Sequence, residues 1–107
     1  MLRHRLTQQD AGSRLAVRVG DVIDVTLPET ATTGFRWEAD VDPAVLEQIG
    51  SAAHAPTMPR GAPGSRTLSF VVRRPGEGLL HAVERRPWEA EPSDQFAVEL
   101  EIAPEHG

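Results

Sequence analysis

Apolar and polar residues alternate along most of this chain. Leu15, Val17 and Val19 share one face, with Arg18 opposed. After Gly20-Asp21, Ile23, Val25 and Leu27 alternate with Asp24 and Thr26. Phe35, Trp37, Ala39 and Val41 alternate with Arg36, Glu38 and Asp40. Leu68, Phe70 and Val72 alternate with Thr67, Ser69 and Arg73, and Phe96, Val98, Leu100 and Ile102 with Gln95, Ala97, Glu99 and Glu101. A strict period of two predicts half-buried antiparallel strands, one face dry and one wet. Leu79 to Arg85 predicts a further strand whose two faces are both mixed. Asp42 to Gly50 carries an N-cap residue, Pro at the first helical position and a closing Gly, the signals of one or two helical turns. The same stretch equally leads into a short strand from about Leu46 to His54.

Breakers separate the runs: Pro28 to Gly34, Pro56 to Gly64, Arg74 to Gly78 and Pro87 to Pro92. About seven short strands between turn clusters predict an all-β, immunoglobulin-like antiparallel β-sandwich. With 107 residues the chain is one domain, residues 1–107, with 1–13 expected to be a loosely ordered N-terminal segment. The Pro/Gly-rich stretch from Pro56 to Gly64 is a loop and not a linker, because too little chain follows it for a second core. If successive strands run alternately up and down, three connections emerge at one end: Pro28 to Gly34, Pro56 to Gly64 and Arg86 to Pro92. Loops on a rigid sandwich commonly carry binding, so the pattern proposes a three-loop binding surface.

Composition narrows the chemistry. There is no cysteine, which removes disulfides, thiolate metal sites and a cysteine nucleophile. Eleven basic against sixteen acidic residues give a net charge of −5, a poor balance for non-specific nucleic-acid binding or for an anionic membrane surface. The polar N-terminus has no apolar run like that of a signal peptide, and a cytoplasmic location is expected. His4, His54, His81 and His106 lack metal-ligand spacing, and His81 and Glu84 fall on opposite strand faces. No Gly-x-Ser-x-Gly elbow exists. Gly61 to Thr67 is glycine-rich but lacks the Lys of a phosphate loop, and a strand follows it. Leu27-Pro28-Glu29-Thr30-Ala31 resembles a sortase sorting signal but leads into a strand instead of a C-terminal apolar tail. Neither catalysis nor a cofactor has support in these residues.

Two loops carry the remaining signal. Thr32-Thr33-Gly34 reads either as a turn or as a stiff polar tip, because β-branched Thr loses little side-chain entropy on binding. Trp88 follows Arg86-Pro87 on a turn and reads either as folded back over the sandwich end or as an exposed anchor. Trp37, on the apolar face of its strand, is assigned to packing. Thr32-Thr33-Gly34-Phe35-Arg36-Trp37 resembles the second half of the NPTTGF/Y-x-W motif of the chagasin family of cysteine-peptidase inhibitors. Arg86-Pro87-Trp88 matches that family's RPW/F motif, and Gly61-Ala62-Pro63-Gly64 stands where the family has its GxGG loop. The resemblance runs from about Gly20 to Ile102, with the three motifs in the family's order. Two of the motifs depart from it: Thr30-Ala31 replaces Asn-Pro, and Pro63 replaces a Gly.

The resemblance implies a monomeric, reversible, non-covalent protein inhibitor of papain-like cysteine peptidases that needs no cofactor or metal. It places Thr32, Thr33, Gly34 and Phe35 over the catalytic Cys and His of the target. It places Gly61, Ala62, Pro63 and Gly64 against one wall of the cleft, and Arg86, Pro87 and Trp88 against the other. A non-inhibitory immunoglobulin-like interaction module is the alternative.

Overall fold

Each alternating run forms a strand, and its apolar face packs into one core shared by two sheets. The computed structural model describes residues 1–30, 34–56 and 63–105. In chain order the strands are β1 (Arg3–Thr7), β2 (Arg14–Arg18), β3 (Val22–Glu29), β4 (Arg36–Ala39), β5 (Leu46–His54), β6 (Gly64–Val72), β7 (Gly76–Arg85) and β8 (Asp94–Ala103). They form two four-stranded sheets, ordered β1-β3-β6-β5 and β2-β8-β7-β4. The inward residues are those the alternation selects: Ile23, Val25 and Leu27 of β3, Leu68, Phe70 and Val72 of β6, and Phe96, Val98, Leu100 and Ile102 of β8. Trp37, 3% exposed, Leu80 and Ala82 of β7, and Leu6, Val17 and Leu46 belong to the same core. Burial of these side chains is the main favourable contribution to folding, at about 25 cal/mol per Å² of apolar surface.

Strand direction reverses at every step along the chain. Two pairings are therefore parallel and not antiparallel: β1 with β3 and β2 with β8. The members of each pair lie an even number of reversals apart, so they must point the same way. No hairpin joins them, so no turn forces the antiparallel arrangement that alternation alone suggests.

The N-terminal segment, expected to be loosely ordered over 1–13, is instead an edge strand and a turn. Arg3 to Thr7 pair with Val22 to Thr26, and Leu6 is buried. A 3-10 turn over Gln8–Asp10 follows, capped by Thr7 and closed by the Asp10 carboxylate on the Thr7 N–H at 2.8 Å. The anchor is buried Asp21. Its carboxylate accepts from Leu2 N at 2.9 Å, from Arg18 N at 3.0 Å and contacts His4 Nε2 at 2.8 Å. Burial alone would push this carboxyl up. The hydrogen bond from His4, those from Leu2 and Arg18 and the His4 charge outweigh burial and hold it below its ordinary value.

The helical signals of Asp42-Pro43 produce a single turn. The Asp42 carbonyl accepts from Val45 N and Leu46 N, and its side chain accepts from Ala44 N at 2.9 Å. The chain then enters β5 over the span the strand reading gave, with a register shift between Gln48 and Gly50.

Candidate functional site

The registers fix where the three connections start and finish. Glu29, the last residue of β3, lies opposite Gly64, the first of β6, and His54, the last of β5, lies opposite Ser65. In the other sheet Arg36 of β4 faces Arg85 of β7, and Glu84 faces Asp94 of β8. The β3–β4, β5–β6 and β7–β8 connections thus leave from one end of the sandwich, as up-and-down alternation predicts. Asp21 and the β2–β3 turn occupy the other end.

The first and third connections touch each other. Gly34 has φ +80°, which favours glycine, and a Cβ on it would sit 3.2 Å from Cη2 of Trp88. Glycine here serves both the turn and the close approach of the indole edge. The Arg86 guanidinium stacks 4.3 Å from the Phe35 ring centroid and 5.8 Å from that of Trp88. Its Nε is buried, 3.4 Å from Glu89 Oε1 but without hydrogen-bond geometry. Arg86 therefore works inside the chain, holding Phe35 and Trp88 together. The turn closes through Glu89 N on the Arg86 carbonyl at 3.0 Å, and its base through Ser93 N on the Glu84 carbonyl at 2.7 Å. Pro87 is exposed, and Trp88 is 71% exposed. Of the two readings of Trp88, the exposed one holds.

The second connection returns to the sheet through exposed Pro63 and then Gly64. A Cβ on Gly64 would lie 2.5 Å from the His54 carbonyl oxygen and 3.2 Å from that of Glu29, so only glycine lets three strand ends converge. The structure brings Gly34, Phe35, Arg86 and Trp88 into one cluster and Gly64 into a second, with Glu29 at the root of both connections. Thr32, Thr33, Gly61 and Ala62 lie outside the described residues.

Beneath the loops lies a polar plug that the sequence reading did not identify. Glu29 follows Ile23, Val25 and Leu27 on the inward face of β3, and Arg66 precedes Leu68, Phe70 and Val72 on the inward face of β6. Glu29 Oε2 accepts from Arg66 Nε and from Trp37 N, each at 2.8 Å. The Trp37 indole N–H donates to the Pro28 carbonyl at 2.8 Å. Glu84 reaches the same end of the sandwich from β7. Burial, then the charges of Asp94 and Glu29, push its carboxyl above its ordinary value, against an opposing hydrogen bond with Ser93. The available signal was parity: extending the period of two to positions 29 and 66 puts opposite charges on the apolar face.

Among the described residues no three His, Asp or Glu side chains converge as metal ligands. His81 is held on the surface of β7 between Asp40 and Gln95, at 3.1 Å from each. The site's described residues offer contact surface instead of reactive groups: an exposed indole and a stacked guanidinium on a stiff base.

Comparison with known proteins agrees with this arrangement. The model of the chagasin family peptidase inhibitor I42 matches residues 16–100. Chagasin of Trypanosoma cruzi is 27% identical over 107 residues, which cover 92% of this chain and 97% of that protein. Amoebiasin-1 of Entamoeba histolytica is 25% identical over 100 residues, which cover 91% of this chain and 97% of that protein. In fold, the chain is similar to the crystal structure of the cysteine protease inhibitor EhICP2 from Entamoeba histolytica, with TM-score 0.88 and 22% identity over 96% of this chain and 97% of that one. The family model spans strands of both sheets and the roots of all three convergent connections, so this chain belongs to the chagasin family of peptidase inhibitors.

Proposed function

We propose that the chain inhibits papain-like cysteine peptidases reversibly and without covalent chemistry, by inserting its three-loop end into the active-site cleft. The observation that carries this reading is the pair of tryptophans. Trp37 is 3% exposed and locks the base of the first loop, while Trp88 is 71% exposed beside it. A large apolar ring left in water on a rigid base is the signature of a binding anchor.

A cleft excludes a flat surface and admits a convex edge. Three loops on one edge bury about 800 Å² per partner, the usual extent of a protease–inhibitor contact. The first loop, with Thr32, Thr33, Gly34 and Phe35, covers the catalytic centre. The second, Gly61 to Gly64, lies along one wall of the cleft. On the other wall Trp88 packs against the enzyme, with Arg86 stacked behind it. The loops cover the nucleophile without offering it an extended peptide at attack distance, so occlusion proceeds without cleavage. Preorganisation of the base keeps the ordering cost of association low. Membership of an inhibitor family favours this reading over a non-inhibitory immunoglobulin-like module.

Steady-state titration of papain with the purified chain tests the proposal. Competitive inhibition at sub-micromolar concentration is expected. Full activity at tens of micromolar inhibitor would refute it.

A further inference from the structure

We propose that Glu29 is a positioning residue: with Arg66 it forms a buried clamp that fixes the first loop against the second, and so controls how long the inhibitor stays on its target. The inference rests on the inhibitory reading above and goes beyond it, because neither residue belongs to a loop motif.

The Glu29 side chain is 4% exposed and that of Arg66 12%. One carboxylate oxygen, Oε2, receives both the Arg66 Nε–H and the backbone N–H of Trp37. Arg66 continues through NH1 to Ser51 Oγ at 2.8 Å. A single chain of hydrogen bonds therefore runs from β4 through β3 and β6 to β5. These four strands carry both ends of the first and second loops. Glu29 also stands one residue before Thr30, where the first loop begins, and opposite Gly64, where the second one ends.

Stability alone is a weak reason for such a pair. Withdrawing two charges from water offsets most of their attraction, and a well-packed apolar pair often does as well. What the pair supplies is direction. A charge-assisted hydrogen bond holds its partners at a defined angle, whereas apolar contact tolerates sliding. At this place sliding would move the two loop roots relative to each other and add an ordering cost to binding. Among variants of one interface such a cost is read mainly in the dissociation rate.

The experiment compares the wild type with Glu29→Gln, Arg66→Lys and Asp21→Asn. Asp21 is likewise a buried, hydrogen-bonded carboxylate, just before the other end of β3. Association and dissociation with papain are measured at a temperature where every variant is folded by circular dichroism. Gln is isosteric, and its carbonyl oxygen can still accept from both N–H groups, but without the charge both bonds weaken and its amide N–H2 takes the place of the second carboxylate oxygen. Glu29→Gln is expected to speed dissociation about tenfold or more. Asp21→Asn should lower the melting temperature yet leave dissociation within about twofold of the wild type. Arg66→Lys keeps the charge but loses the fork that reaches Ser51, and decides the matter if Glu29→Gln does not fold. It should dissociate about threefold faster or more.

Wild-type dissociation in the clamp variants would overturn the proposal. So would equal acceleration by Asp21→Asn, which would reduce the effect to general destabilisation. Failure of the wild type to inhibit papain would refute the inhibitory reading instead. The clamp would then stand or fall on the amide NMR shifts of Gly34 and Trp88: displaced by Arg66→Lys and not by Asp21→Asn if it exists, unmoved by either if it does not.

Discussion

Truncation of Trp88 separates binding from folding more cleanly than any other change. A tryptophan side chain buries about 150–250 Å² when fully covered. With 71% of Trp88 exposed in the free chain, most of that area remains for a partner to cover. At about 25 cal/mol per Å², the free portion is worth about 3–4 kcal/mol on association and the covered portion about 1–2 kcal/mol on folding. The covered portion is the contact of the ring edge with Gly34 and the stacking on Arg86. Trp88→Ala should therefore weaken inhibition of papain by about 2–4 kcal/mol, or about 30- to 700-fold. Its unfolding free energy should fall by about 1–2 kcal/mol only. The assay pairs inhibition constants with urea unfolding of the same preparations. A variant that loses several kcal/mol of stability, or one that inhibits as well as the wild type, would refute the reasoning.

Other predictions concern the frame. A methyl group on Gly64 would meet two backbone carbonyls that cannot step aside, so Gly64→Ala should cost about 1–3 kcal/mol in urea unfolding, and wild-type stability would contradict the packing argument. Asp21 and Asp24 are held below their ordinary value of 3.8, so the native chain binds fewer protons than the unfolded one just below that pH. Their contribution to stability is complete above about pH 4 and is lost as pH falls through the folded values; Asp21→Asn should flatten that acid limb, and an unchanged limb would count against the anchor. Glu84 has the opposite sign, because its carboxyl is raised above 4.5 by burial and by the charges of Asp94 and Glu29. It disfavours folding increasingly as pH rises from 4.5 through its folded value, so Glu84→Gln should gain stability relative to the wild type over that range; a pH-independent difference would contradict this.

How far the sequence went follows from what each segment buries. The strands with three or more inward apolar residues, such as β3, β6 and β8, were legible from alternation alone. The convergence of the three loops followed from strict reversal of direction, and the contrast between Trp37 and Trp88 from parity and turn position. β1 was not legible, because Leu6 is its single buried residue and its anchor Asp21 is far along the chain. The turn at Asp42 carried real capping chemistry, but the following residues bury only Leu46 of β5, too little to settle helix against strand. Glu29 was hidden by Pro28. A proline next to a polar cluster reads as a breaker, yet Pro28 and Glu29 continue β3, and the carboxylate turns inward to meet Arg66. Arg86 shows a different limit. Its motif was legible, but sequence cannot distinguish an arginine reaching for a partner from one stacked on its own Phe35.

Inhibition by occlusion requires the loop end to cover a catalytic thiol. Papain mixed with increasing amounts of the chain and challenged with an active-site-directed alkylating probe measures this directly. Protection should rise in proportion to added inhibitor, saturate at one molecule per enzyme and vanish when the complex is dissociated. Alkylation at the free-enzyme rate, with the chain in excess and bound, would contradict it.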